Sequence, residues 1–128
     1  MRSSYSQYGS GLDFVAPGGG GASSGWIWTT DRTGNDGYVF GDYVGITGTS
    51  FAAPLAAGIA ALMLSIDPQL TAGEIRELLR QTADRDKVEG VGFNSSGWNS
   101  QYGYGWLNAN AAVRAVARLQ GEPVGTDG

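Results

Sequence analysis

The sequence contains no cysteine, no histidine and one lysine, Lys87, among 128 residues. Without cysteine there is no disulfide framework, iron–sulfur cluster or thiolate zinc site, and the redox compartment leaves no mark. Without histidine the commonest metal ligand and the usual general base at neutral pH are both missing. The eight cations are Lys87 and seven scattered arginines, set against twelve acids for a net charge of −4. No basic stripe exists to neutralise phosphates, which argues against nucleic acid as a partner. Long hydrophobic runs are absent too. The longest, Phe51 to Leu64, is 14 residues, six of them alanine. It falls short of the roughly 20 residues needed to cross a bilayer, so it reads as a core helix, with no membrane partner. The opening Met1-Arg2-Ser3-Ser4 leads into polar sequence, without the apolar stretch of a signal peptide.

What is present is a weakly charged, moderately apolar chain: 41% hydrophobic and 16% charged. That balance excludes a disordered tail, and the length implies one domain. Twenty-two glycines without a three-residue period imply tight turns rather than collagen. Leu12–Ala16, stopped by Pro17 and Gly18 to Gly21, is expected to be a buried strand running into a loop. Gly25 to Thr30 has the aromatic and β-branched character of a second strand, with Tyr38-Val39-Phe40 as its hairpin partner across the turn residues 31–37. Phe51 to Ile66, apolar almost all round, is expected to be a helix covered on every side, with Pro54 near its start and Asp67-Pro68 ending it.

Two further helices are well signalled. Thr71 and Glu74 form a capping box, Leu70 and Ile75 a hydrophobic staple, and Ile75, Leu78 and Leu79 an inward stripe; Arg76, Glu77 and Arg80 face water, and the helix ends near Ala83. After a polar loop from Asp84 to Ser96, Tyr102 to Leu107 reads as a short strand or bend. Asn108 then caps a helix from Ala109 to Leu119, whose stripe is Ala112, Val113, Val116 and Leu119. Residues 121–128 read as a flexible tail.

Gly48-Thr49-Ser50 stands at the mouth of the apolar helix. A serine there lies in the positive end of the helix dipole, beside backbone N–H groups that have no helical partner. Such a hydroxyl is placed to be a nucleophile, and the N–H groups to hold an oxyanion. The plain alternative is that Thr49 or Ser50 is only an N-cap.

The longer string Gly48-Thr49-Ser50-Phe51-Ala52-Ala53-Pro54, followed by Ala57-Gly58 and Ala60-Ala61-Leu62, resembles the nucleophile segment of subtilisin-like serine proteases, the subtilases. Arg2 to Ser6 and Leu12 to Gly18 resemble that family's upstream segment, Pro68 to Thr71 its next helix, and Tyr102 to Ala109 its closing glycine-rich segment and last helix. The likeness is collinear over about residues 2–119. It implies a partial three-layer α/β/α domain with a mostly parallel sheet, residues 1–120 forming the C-terminal part of the catalytic domain. It further implies a serine endopeptidase acting through an acyl-enzyme on peptide or protein substrates. Ser50 would attack the scissile carbonyl, its own N–H would supply one oxyanion donor, and Gly48, Thr49 and Pro54 would complete the motif. The family's Asp, His and oxyanion Asn segments precede the nucleophile. None is matched in the 49 residues before Ser50, and Asp13 and Asp31 fall in other matched stretches. The implied partner is therefore the N-terminal part of the catalytic domain, and this chain alone should be inactive: a fragment, a truncated product or half of a split enzyme. The alternative is a non-catalytic interaction domain that keeps the scaffold. Pro54-Leu55-Ala56-Ala57-Gly58, with Thr29-Thr30-Asp31, leans toward the kexin-like branch and its bacterial relatives, which implies basic residues before the cut. The family also implies secretion.

No cofactor is implied. Gly18 to Gly21 lacks the Lys-Ser or Lys-Thr of a phosphate loop, and Ala52 replaces the second glycine of a hydrolase elbow. Calcium is known in the family, but Asp31, Asn35 and Asp36 lack a cation-loop spacing and read as a solvated turn. Trp26, Trp28, Trp98 and Trp106 are assigned to core or sheet packing, with an aromatic binding surface as the alternative.

Overall fold

A computed structural model describes residues 2–22, 25–88 and 90–121. The expected tail, beyond Gly121, lies outside the described residues. The elements in order are β1 (Ile27–Thr30), β2 (Tyr43–Ile46), α1 (Thr49–Ile66), α2 (Ala72–Thr82) and α3 (Ala109–Leu119).

The helices form where their caps and stripes place them. Thr71 Oγ1 accepts from the Glu74 N–H at 3.3 Å, and the Glu74 carboxylate accepts from the Thr71 N–H at 2.8 Å, which closes the capping box of α2. Asn108 Oδ1 accepts from the Ala111 N–H at 2.9 Å and starts α3. α3 lies against both α1 and α2. Met63 from α1, Leu79 from α2, Leu107, and Ala112 and Val116 from α3 make the buried core, with Leu70, Ile75 and Leu78 packed around it. Leu119 is the exception in its stripe: at the end of α3 it is 66% exposed, one turn beyond the reach of the core.

Leu12–Ala16 does not form a strand. Val15 makes one parallel bridge to Trp106, and Trp106 pairs on its other side with Asp84. The bonds are short: Val15 N–H to Gly105 O at 2.9 Å, Leu107 N–H to Val15 O at 2.9 Å, and Asp84 N–H to Trp106 O at 2.7 Å. This stitch needs glycine. Gly103 has φ +57°, and a Cβ there would sit 2.2 Å from the Asp13 carbonyl oxygen. The alternation of glycine with aromatics in residues 102–106 thus reflects two backbones in contact rather than a regular strand.

The regular ladder among the described residues is antiparallel, β1 with β2, in the register Ile27↔Ile46 to Thr30↔Tyr43. The hairpin partner is therefore Tyr43–Ile46 and not Tyr38–Phe40. The reason is a competing acceptor. The Asp31 carboxylate takes the N–H of Tyr38 at 2.7 Å and of Val39 at 3.1 Å, so those donors are lost to a ladder. Val44 is buried, as a paired strand residue should be, while Tyr38 and Phe40 are 88% and 85% exposed. The α/β class stands, with the parallel pairing reduced to the Val15–Trp106 bridge.

Arg76 and Arg80 do not simply face water. Both guanidinium groups close on Asp13, with N···O separations of 2.8 and 2.5 Å, and tie the N-terminal segment to α2. The Arg80 guanidinium also lies 4.9 Å from the centre of the Tyr104 ring. Partial burial pushes the Asp13 carboxyl up, but the hydrogen bonds and charges of Arg80 and Arg76 outweigh it and hold the group below the ordinary carboxylate range. A lowered native pKa gives stability that is present above the unfolded pKa and lost as the group is protonated. Thermal melts should therefore show stability falling as pH drops below ~4. Asp13→Asn should cost about 1–3 kcal/mol at pH 7 and flatten that acid limb; parallel acid limbs in both proteins would refute the assignment.

Candidate functional site

α1 begins at Thr49, two residues earlier than the apolar run suggests. Its N-cap is Gly48, in extended backbone (φ 160°, ψ 155°), and no side chain caps it. The N-cap reading of Thr49 and Ser50 is thereby corrected: both lie inside the first turn. Ser50 is exposed, and its hydroxyl hydrogen-bonds to no described group. No acidic residue occupies the first turn, so the positive end of the dipole is not offset there. Because the helix starts early, Pro54 is an interior residue rather than one of the first-turn positions that lack a partner anyway. It brings no N–H to the Ser50 carbonyl four residues back.

The backbone entering this turn is held from below. The Gly48 N–H donates to Gly18 O at 2.8 Å, and the Phe51 N–H donates to Gly48 O at 3.0 Å. Gly18 must be glycine for reasons of space, since a Cβ there would lie 2.7 Å from Gly48 O. The neighbouring Gly19 sits under Ile46 and Thr47, the residues through which β2 passes into Gly48. Gly18 and Gly19 are thus a platform under the first turn of α1, a role that composition alone gave only as a loop. A cavity of about 280 Å³ opens beside it, lined by Tyr5, Val15, Gly18, Thr49, Ala52 and Trp106 among others. Ser50 does not line it.

α1 is not covered on every side. Met63 is its one buried residue, while Ala56, Ile59 and Ile66 pack partly against the core. Leu55, Leu62 and Leu64 are 45%, 53% and 36% exposed. The side of the helix turned away from α3 therefore carries apolar surface with no described neighbour.

The tryptophans divide. Trp98 is half-buried and donates its indole N–H to Leu12 O at 2.8 Å, and Trp106 is half-buried at the stitch. Trp26 and Trp28 are 48% and 70% exposed, so of the core or sheet packing expected for them it is the sheet that they contact. By register, Trp28, Gly45 and Tyr43 share one face of the hairpin, and the Trp26 side chain rests over Gly45, where a Cβ would meet it at 2.9 Å.

Asp31, Asn35 and Asp36 do not fit a calcium cradle. The Asp31 carboxylate accepts from three backbone N–H groups, those of Arg32, Tyr38 and Val39, so positive hydrogens point where a cation would have to bind. Slight desolvation raises this carboxyl and the same three hydrogen bonds lower it further, for a net downward shift. Among the described residues no cluster of three acidic or metal-ligating side chains is present. Asp31→Ala should release the 31–42 loop: amide exchange at Tyr38 and Val39 should quicken by about tenfold, with α3 unchanged, and equal exchange rates would refute the anchoring role.

The model of the Subtilase family matches residues 1–105. The chain is 39% identical over 135 residues to the calcium-dependent protease of Trichormus variabilis, covering 96% of this chain and 20% of that protein. It is 37% identical over 113 residues to Subtilisin BL of Lederbergia lenta, covering 88% of this chain and 34% of that one. The crystal structure of the serine protease of Aeromonas sobria superposes with a TM-score of 0.76 at 28% identity, over 98% of this chain and 28% of that chain. The chain thus spans about a fifth to a third of the length of these proteins. The family match over most of the sequence, with identity and fold in accord, places the chain in the subtilase family.

Proposed function

We propose that residues 1–120 are the C-terminal part of a serine endopeptidase catalytic domain, and that Ser50 is its acylated nucleophile. The observation that carries this reading is the state of Ser50: exposed, its hydroxyl bonded to none of the described residues, and in the first turn of an apolar helix with no acid in that turn. In this reading Ser50 Oγ attacks the scissile carbonyl and the carbonyl oxygen becomes an oxyanion. The first-turn N–H of Ser50 and the helix dipole stabilise that charge. Gly48 and Thr49 set the approach of the backbone, and Pro54 shapes the turn behind the serine. The proton of Ser50 needs an acceptor. With no histidine among the 128 residues, the base and the acid that orients it come from polypeptide outside them. The substrates would be peptides or proteins. Calcium, named for one relative, would be held outside residues 31–36.

The test is reconstitution. The chain is co-expressed with the part of Subtilisin BL that precedes its aligned stretch, and a fluorophosphonate probe is added. Labelling of this chain is expected, and Ser50→Ala should abolish it. Labelling that survives Ser50→Ala sinks the proposal. The absence of histidine favours a second reading, a non-catalytic interaction domain, which predicts a folded chain that stays unlabelled in every combination.

A further inference from the structure

The Gly18–Gly19 platform under Gly48 is itself held by two side chains, Tyr5 and Ser3. The Tyr5 hydroxyl lies 2.8 Å from Gly18 O and also reaches Gly19 O. Ser3 Oγ donates to the same Gly19 carbonyl at 3.2 Å. Gly18 O in turn accepts from the Gly48 N–H at 2.8 Å. The Tyr5 hydroxyl has a single proton, which the Gly18 and Gly19 carbonyls share, and at Gly18 the second lone pair accepts from the Gly48 amide. Fixing both lone pairs fixes the plane of the Gly18 peptide, and with it the direction from which the Gly48 N–H must approach. Gly48 is two residues before Ser50. Gly19, the second carbonyl in reach of Tyr5, supports Ile46 and Thr47 on the other side of the same turn.

We infer that Tyr5 is a positioning residue for Ser50: its hydroxyl braces the Gly18–Gly19 carbonyls, and through the Gly18–Gly48 hydrogen bond it sets the aim of the first turn of α1. The aromatic ring is not the working part. Tyr5 touches no reacting atom, and it acts through two backbone hydrogen bonds. This inference rests on the proposal that Ser50 is the nucleophile. The brace is also a property of the folded chain alone, so it can be tested without activity.

The experiment compares Tyr5→Phe, which removes only the hydroxyl, with Tyr5→Leu, which removes the ring as well. In the chain by itself, amide exchange is followed by NMR. In Tyr5→Phe the Gly48 amide should exchange about tenfold faster, while Val116 in the core stays at its wild-type rate. In the reconstituted complex, fluorophosphonate acylation is resolved into a first-order rate and a half-saturating concentration. The rate should fall about tenfold in both variants at an unchanged half-saturating concentration, and the 31P resonance of phosphonylated Ser50 should shift. Unchanged Gly48 exchange in Tyr5→Phe overturns the brace. So does a Tyr5→Phe variant that acylates like wild type while Tyr5→Leu does not, because the ring would then carry the effect. A wild-type complex that is never labelled defeats the nucleophile assignment instead, and the Gly48 exchange rate then decides the brace alone.

Discussion

Replacing Met63 with alanine should cost about 2–5 kcal/mol and lower the melting temperature by roughly 10 °C or more. Met63 is fully buried, at 0% exposure, and is the one residue of α1 that reaches the centre of the core. Truncating it leaves a void between α1 and the Leu79, Ala112 and Val116 side chains, which the rigid helix backbones cannot close. With so little of α1 buried, no other side chain of that helix is placed to compensate. The matched control is its neighbour: Leu62 is 53% exposed, and Leu62→Ala should change stability by less than about 0.5 kcal/mol. Thermal melts of the two variants side by side are decisive, and equal losses would show that the core is not where the structure puts it.

Gly18→Ala should have the largest effect on the site. The added methyl would lie 2.7 Å from the Gly48 carbonyl oxygen, a backbone atom with no rotamer through which to yield. Either the 17–19 segment or Gly48 must move by several tenths of an ångström. Each movement weakens the 2.8 Å hydrogen bond between Gly48 N–H and Gly18 O. Overpacking of this kind costs about 1–3 kcal/mol. Its kinetic cost should be larger, since a reacting atom displaced by about 1 Å loses on the order of 10²-fold in rate. Ser50 acylation in the reconstituted complex should drop by about that factor. Gly11, where a Cβ meets nothing within 4 Å, provides the control; Gly11→Ala should acylate at the wild-type rate. A Gly18→Ala protein that acylates normally would show that the platform does not support the serine.

Local signals in the sequence were readable where one residue type answers one local need. The capping box at Thr71 and Glu74, the Asn108 cap and the stripe through Leu79 and Val116 all depend on neighbours within a turn, and each forms as the pattern requires. Long-range competition was not readable. Tyr38-Val39-Phe40 has strand character, but Asp31, seven and eight residues away, takes two of its N–H groups and leaves Tyr43–Ile46 to pair instead. Arg76 and Arg80 sit on the polar face of a regular amphipathic helix, and nothing in that periodicity names Asp13, more than sixty residues earlier, as their partner. Leu12–Ala16 is apolar enough for a strand, yet the close pass of Gly103 limits it to one bridge.

At the candidate site, the Gly48-Thr49-Ser50 motif falls at the N-terminus of α1. The extended glycine N-cap and the uncapped serine are matters of three-dimensional position, and so is the support from Gly18. The one sequence clue to that support was the run Gly18 to Gly21, since close approach of another backbone is one of the uses of glycine. Tyr5 gave no clue at all, because a tyrosine in a polar N-terminal segment has many ordinary explanations.

Along the open side of α1, Ala53, Ala57 and Ala61 follow one another at four-residue intervals, all exposed. From Ala53 to Ala61 they form a low ridge of methyl groups, which ends at the exposed Leu64. A surface laid along it could come nearly to main-chain distance, closer than two helices studded with leucines can approach. Recognition there would depend on contour more than on charge or hydrogen bonding, and the bulk needed to fill the gap would have to be contributed entirely from the opposite side.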